Sequence, residues 1–432
     1  MPRRARTVIV VLATLVLASA AACGQGPEGS PEGSAGGSPP GQAASPSAVT
    51  AATPLPSATS RPEPGHEVYG FLPYWEVDKT IAAHLRSTDL TTLALFSVTN
   101  NRKGAIDSKQ NGYRRITGEI GAQVIREARE RGVRVDLVFT SFGRARNDGF
   151  FGDLALQGAT IASLVALVEE LGLDGINVDV EGLDPALVPA YGAFVGRLRE
   201  ALVAADQSDE LSVSTSGNVL GAGMAAAAAT AGVDRIFLMG YDYRVAGSEP
   251  GATSPLDRRD GDERDLQWSL DLYQAFGVPA ELTLLGLPLY GRMWPVTGPE
   301  LGAPSTGPGV VWVPRRNLDI LEDPAIVPVR DEIEVVELYA LLRAKSGALT
   351  GPSATPLPPP SNTPAGSGGA AAASPGSWRA VYVDSPETLG PKLALANDRG
   401  LAGAGFWAIG YERGLPGYTE LINRFAAGQP ME

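Results

Sequence analysis

Eight short apolar runs, separated by longer helix-like runs, constrain the fold of this chain more than any other feature. EVYGFLPY (67–74), TLALFSV (92–98), VRVDLVFTS (133–141), LDGINVDVE (173–181), LSVSTS (211–216), RIFLMGYD (235–242), LTLLGLPLY (282–290) and AGAGFWAIG (402–410) read as strands. Between them lie ITGEIGAQVIREARER, ATIASLVALVEEL, ALVPAYGAFVGRLREAL, RDLQWSLDLYQAF and SPETLGPKLALANDR, which read as helices. Parallel strands need a crossover between them, usually a helix. Eight such units without an internal repeat predict an α/β chain closed into a (β/α)8 TIM barrel. The stretch between the seventh and eighth runs is too long for one helix. Residues 295 to about 384 are therefore expected to hold a small α+β insertion.

Two segments stand apart from this alternation. Residues 24–65, beginning GQGPEGSPEGS, contain almost no large apolar side chain. Such a segment cannot offset the entropy lost on folding and is expected to be a disordered tether. A similar stretch at 351–376, which includes LPPPSNTPAGSGGAAAASPG, falls inside the insertion and reads as a long surface loop. Its closure cost grows only logarithmically with length.

Residues 1–23 begin with Arg3, Arg4 and Arg6, continue with an apolar run from Val8 to about Ala18, and end in small residues before Cys23. This is the pattern of a secretory signal. The run is short of the ~20 apolar residues that span a bilayer. Ala20-Ala21-Ala22-Cys23 resembles a bacterial lipoprotein processing site, with Cys23 the lipidated residue. Plain signal cleavage and an uncleaved anchor are the alternatives. The expected location is extracytoplasmic, on the cell surface through a lipid anchor or else secreted. The folded part is expected over residues 66–428, as a monomer.

Composition excludes several classes of function. The net charge of −13 disfavours a polyanion-binding surface, so no nucleic-acid partner is expected. Two histidines and one cysteine leave no material for a histidine-rich zinc site, a four-cysteine cluster or a disulfide framework. No metal is expected, and an enzyme built this way must move protons with carboxylates. Gly403-Ala404-Gly405-Phe406-Trp407-Ala408 fits a dinucleotide fingerprint loosely, but no strand–helix–strand continuation follows it.

The fourth run carries the candidate chemistry. From Ile176 it alternates: Ile176, Val178 and Val180 are apolar, whereas Asn177, Asp179 and Glu181 are polar. Period-two alternation puts the three polar groups on one face. In a barrel of this kind that face is the interior, rising towards the C-terminal rim where active sites sit. A polar row on a central strand is costly unless it is used.

DGINVDVE resembles the DGxDxDxE signature of glycoside hydrolase family 18, the chitinase-like hydrolases. Asn177 replaces one aspartate of the signature, a variant that also resembles the spore-cortex-lytic branch. The resemblance extends in order through YGFLPYW (69–75), MGYD (239–242), LGLPLYGRMW (285–294) and VYVDSPETLGPKLALANDRGLAGAGFWAIGYE (381–412), covering about residues 67 to 425. It implies Glu181 as proton donor and Asp179 as the residue positioning the substrate acetamido group. Tyr241 would bond the acetamido carbonyl, with Asp242 beside it. Tyr290 and Arg292 would contact substrate, and Trp407 would form the aromatic floor under the sugar. Trp294 reads equally well as core or site, and Asp174 and Gly175 as shaping the strand entry.

The implied reaction is hydrolysis of glycans containing N-acetylglucosamine, peptidoglycan or a chitin-like polymer, with retention of configuration. The N-acetyl oxygen attacks the anomeric carbon while Glu181 protonates the leaving oxygen; water then opens the oxazolinium intermediate with Glu181 as base. No cofactor is required. The rival readings are a lectin-like surface lipoprotein on the same fold that has lost catalysis, and a scaffolding lipoprotein that would not need these residues.

Overall fold

A computed structural model describes residues 66–342 and 378–431 of the chain. Residues 1–65, with Cys23, and the 351–376 stretch lie outside the described residues. The barrel strands are β1 (Glu67–Pro73), β2 (Thr92–Val98), β3 (Arg134–Phe142), β4 (Gly175–Glu181), β5 (Glu210–Ser216), β6 (Arg235–Met239) and β7 (Thr283–Pro288). A second sheet follows, made of β8 (Gly291–Val296), β9 (Val310–Trp312), β10 (Val329–Asp331), β11 (Val336–Leu342) and β12 (Trp378–Val383). The last barrel strand is β13 (Gly403–Trp407). The barrel closes in the order β1-β13-β7-β6-β5-β4-β3-β2 with parallel pairings, as the strand–helix alternation predicts.

Two hydrophobic layers follow from the period of two along the strands. Outward-facing Ile176, Val178 and Val180 join Phe139, Phe194 and Leu198 in the layer between barrel and helices. A smaller cluster of Tyr69, Phe71, Ala94, Phe96, Val138, Phe237, Leu284 and Ala402 fills the interior. The helix Val188–Ala205 shows why such segments pack on the barrel: Tyr191, Phe194, Val195, Leu198 and Leu202 are its buried face. Their spacing of three and four residues forms one apolar stripe. The helix Val219–Thr230, between β5 and β6, was not read from the sequence. Its run AAAAAT carries no amphipathic period, and alanine packs here by being small.

The connection from β7 to β13 holds the antiparallel sheet, ordered β10-β11-β12-β8-β9. It starts at Gly291, directly after Tyr290, so Arg292 and Trp294 belong to this sheet and not to the barrel. β6 ends at Met239, three residues before Asp242, because the chain turns there through a left-handed residue.

Candidate active site

β4 runs between β3 and β5, with Asp179 opposite Thr140 on one side and Ser214 on the other. Asn177 is fully buried; its Nδ2 donates to Ser212 Oγ at 2.9 Å and its Oδ1 accepts from Ser214 Oγ at 3.0 Å. Asp179 is also buried, and its Oδ1 has no hydrogen-bond partner. Glu181 is the last residue of β4, half-buried at the rim. Its carbonyl accepts from the Gly143 N–H at 2.9 Å and from Asn147 Nδ2 at 2.7 Å, and Asn147 in turn accepts from Ser141 Oγ at 2.7 Å. These bonds fix the main chain at the position that aims the carboxyl. Gly182 follows at φ 71°, a left-handed turn in which a side chain would be strained.

The adjoining wall, beyond β5, comes from the turn after β6. Asp242 has φ 58°, a conformation that aspartate and asparagine tolerate better than other side chains. Its Oδ1 accepts from Tyr290 Oη at 2.7 Å, Arg292 Nη2 at 3.2 Å and Thr253 Oγ1 at 3.3 Å. Tyr241 and Tyr290 meet edge to face with ring centroids 6.1 Å apart. Arg292 is buried, and its Nε has no hydrogen-bond partner.

Burial, and then the charge of Asp242, push the Glu181 carboxyl up to about 7. Burial, and then Glu181, hold Asp179 well above the ordinary carboxylate range. Two carboxyls crowded in this way retain a proton near neutrality, which is the state a general acid needs. Burial raises the Tyr241 hydroxyl, and Asp179, Asp242 and Glu181 each push it further. Tyr241 thus lies within electrostatic reach of all three carboxyls and keeps its proton as a donor.

Trp407 ends β13. Its ring stands edge-on to Phe96 at 4.7 Å and to Trp75 at 6.4 Å, and is tilted against Phe71 at 5.7 Å. Trp407 and Tyr241 both pack on the interior cluster, which links the two across the barrel mouth. Trp294 is different: fully buried in the second sheet and edge-on to Tyr382, it is a core residue. Sequence reasoning missed the supports of the site: Tyr69, Asp136, Asn147, Ser212 and Ser214. For the serines a signal existed, since LSVSTS alternates as β4 does. For Asn147, on the helix Arg144–Phe151, none did.

A closed parallel barrel with a carboxylate-tipped fourth strand, a tyrosine-aspartate turn and a tryptophan at its rim defines the architecture of a barrel glycosidase. Residues 67–412 match the family model of glycosyl hydrolases family 18, and the chain belongs to that family. Among curated relatives, the putative sporulation-specific glycosylase YdhD of Bacillus subtilis is 28% identical over 137 residues, 31% of each chain. Mouse chitotriosidase-1 is 26% identical over 190 residues, 39% of this chain and 41% of the relative. The matched segments thus span less than half the length of either relative. The Bacillus cereus spore cortex-lytic enzyme SleL superposes with a TM-score of 0.63 at 18% identity, covering 85% of this chain and 76% of SleL. A family 18 N-acetylglucosaminidase from Paenibacillus barengoltzii gives 0.64 at 18% identity, covering 84% and 100%. A Cycas revoluta chitinase in complex with (GlcNAc)3 gives 0.64 at 17%, covering 84% and 99%. At these identities the structural likeness establishes the fold.

Proposed function

We propose that the chain hydrolyses glycosidic bonds in N-acetylglucosamine-containing glycans by a substrate-assisted, retaining mechanism with Glu181 as acid and then base. The observation that carries this reading is Glu181 itself: a rim carboxyl on a fixed main chain, held protonated near neutrality by burial and by Asp242. Asp179 accepts the acetamido N–H and balances the charge of the oxazolinium. Tyr241 donates to the acetamido oxygen and keeps it in line with the anomeric carbon, an orientation effect. Arg292 and the Asp242–Tyr290 pair take sugar hydroxyls, and Trp407 stacks beneath the ring. Structural neighbours include a chitinase in complex with (GlcNAc)3 and a spore cortex-lytic enzyme, which supports glycans of the chitin or peptidoglycan type. Cys23 as a lipidated anchor would place the enzyme on the outer face of a membrane, beside such polymers.

A retaining pair of protein carboxylates stands ~5–5.5 Å apart across the bond, and an inverting pair ~6.5–9.5 Å. Asp179 lies two residues below Glu181 on the same strand face and fills neither role, so the nucleophile is assigned to the substrate. Matched oligosaccharides, N-acetylated and deacetylated, test this when the product anomer is read early by NMR. The acetylated one is cut with retention; equal cleavage of the other, or inversion, excludes substrate assistance. Glu181→Gln removes the transferable proton and lowers turnover by about 10²–10⁴-fold while folding persists. Turnover near the wild-type rate would remove Glu181 from the mechanism.

A further inference from the structure

Beneath the acidic pair a run of hydrogen bonds crosses the barrel interior. Tyr69 Oη donates to Asp136 Oδ2 at 2.8 Å and lies 3.1 Å from Ser212 Oγ. Ser212 accepts from Asn177 Nδ2, and Asn177 Oδ1 accepts from Ser214. All five side chains are at most 2% exposed. Asp136 Oδ1 has no hydrogen-bond partner, and only a glycine opposite leaves it room: a Cβ on Gly175 would lie 2.9 Å from that oxygen. A carboxylate this deep, with one hydrogen bond, is expensive to keep for stability alone.

The run has a direction. The single Tyr69 proton is committed to Asp136 Oδ2, so Ser212 must donate to Tyr69. Ser212 Oγ then has only lone pairs left for Asn177, and only the amide nitrogen can face it. The reversed amide would set oxygen against oxygen. The two ends of an amide are otherwise nearly isosteric, so nothing but hydrogen-bond polarity selects between them.

We propose that Asp136 is a positioning residue: acting through Tyr69 and Ser212, it holds the Asn177 amide one way round beneath Asp179. The Asn177 oxygen then holds the proton of Ser214, the residue level with Asp179 on β5, and Asp179 Oδ1 has no hydrogen-bond partner. A reversed amide would donate to Ser214 instead and leave the Ser214 proton uncommitted beside Asp179. Burial raises the Asp136 carboxyl to about 7, Arg134 and the Tyr69 hydrogen bond draw it down, and Glu210 and Asp174 push it up.

This inference rests on β4 being the catalytic strand. Its test compares wild type, Asp136→Asn, Tyr69→Phe, Asn177→Asp and the swap Asp136→Asn/Asn177→Asp, each with its melting temperature. An asparagine at 136 can donate or accept, so the polarity is lost. Asp136→Asn and Tyr69→Phe are expected to lower kcat about tenfold with KM changed less than about twofold, the scale of losing an orienting partner. The swap is expected to recover most of kcat, because a carboxylate at 177 has no wrong way round. Asn177→Asp alone crowds a second carboxylate onto the run and recovers nothing. Should Asp136→Asn fail to fold, Tyr69→Phe and the swap decide. Wild-type kcat in Tyr69→Phe and in any folded Asp136→Asn overturns the inference, as does a swap no better than the Asp136→Asn single. Those results in an otherwise active enzyme leave the proposed function standing. An inactive wild type removes the proposed function first and this inference with it.

Discussion

At the scale of single residues, the proposed acid Glu181 is tuned by a neighbour on the turn after β6. Asp242 raises the Glu181 carboxyl, so neutralising it as Asp242→Asn lowers that pKa. Asparagine accepts the left-handed backbone at this position, whereas alanine would add strain. As the proposed acid Glu181 must be protonated, so wild-type kcat/KM is expected to fall as pH rises through about 7. In Asp242→Asn that falling limb moves to lower pH; a limb that stays in place would show that Asp242 does not set it. The carboxylates, Tyr241 and Trp407 were legible in the sequence because each sits in a short motif. Their supports were not, because Asp136, Tyr69 and Ser212 meet only when distant strands become neighbours. Trp294 was ambiguous for a related reason: one aromatic in GRMW fits equally a sugar-facing rim or a buried sheet.

At the scale of elements, β4 depends on having no side chain at its first residue. A Cβ on Gly175 would come within 2.3 Å of the Glu210 carbonyl and 2.9 Å of Asp136. Gly175→Ala therefore pushes β4 from β5 and strains the run beneath the site. A loss of about 1–3 kcal/mol in chemical unfolding is expected, the usual cost of overpacking, together with reduced kcat. Unchanged stability would mean that the strands can part without penalty. Strand positions were read to within a few residues from apolar runs. The main differences fall at C-terminal ends: β6, β7 and β13 stop short of the apolar runs, and the residues Tyr241, Asp242 and Tyr290 follow the strand ends at the rim. These irregular ends carry the proposed site residues, and no periodic pattern marks them.

For the molecule as a whole, barrel and insertion are joined over a buried charge. Glu76, after β1, is fully buried and paired with Arg315 at 2.7 Å and Arg413 at 2.5 Å, with Arg316 at 3.9 Å. Arg315 comes from the insertion and Arg413 from the segment after β13. Glu76→Ala leaves arginines facing each other without their shared carboxylate. It should cost about 3–5 kcal/mol by urea unfolding, as for other broken buried pairs. A cost below about 1 kcal/mol would place the clamp among surface pairs. The insertion was anticipated as a small α+β unit in a length of chain too long for one helix, but its individual strands were not, since β9 and β10 are three residues each. The strands β11 and β12 are antiparallel partners, and Leu342 pairs with Trp378. The two ends of the 343–377 stretch are therefore held side by side by the sheet itself. Polypeptide continuity at that point is a convenience of synthesis. Replacing the stretch by a short turn removes about three doublings of loop length and should raise stability by up to about 2 kcal/mol. The same seam is where the gene could be divided in two: a fragment ending near residue 342 and another starting near 378 should reassemble into a working enzyme. Recovery of activity only on mixing the halves would turn that seam into a handle for reporters or for controlled switching.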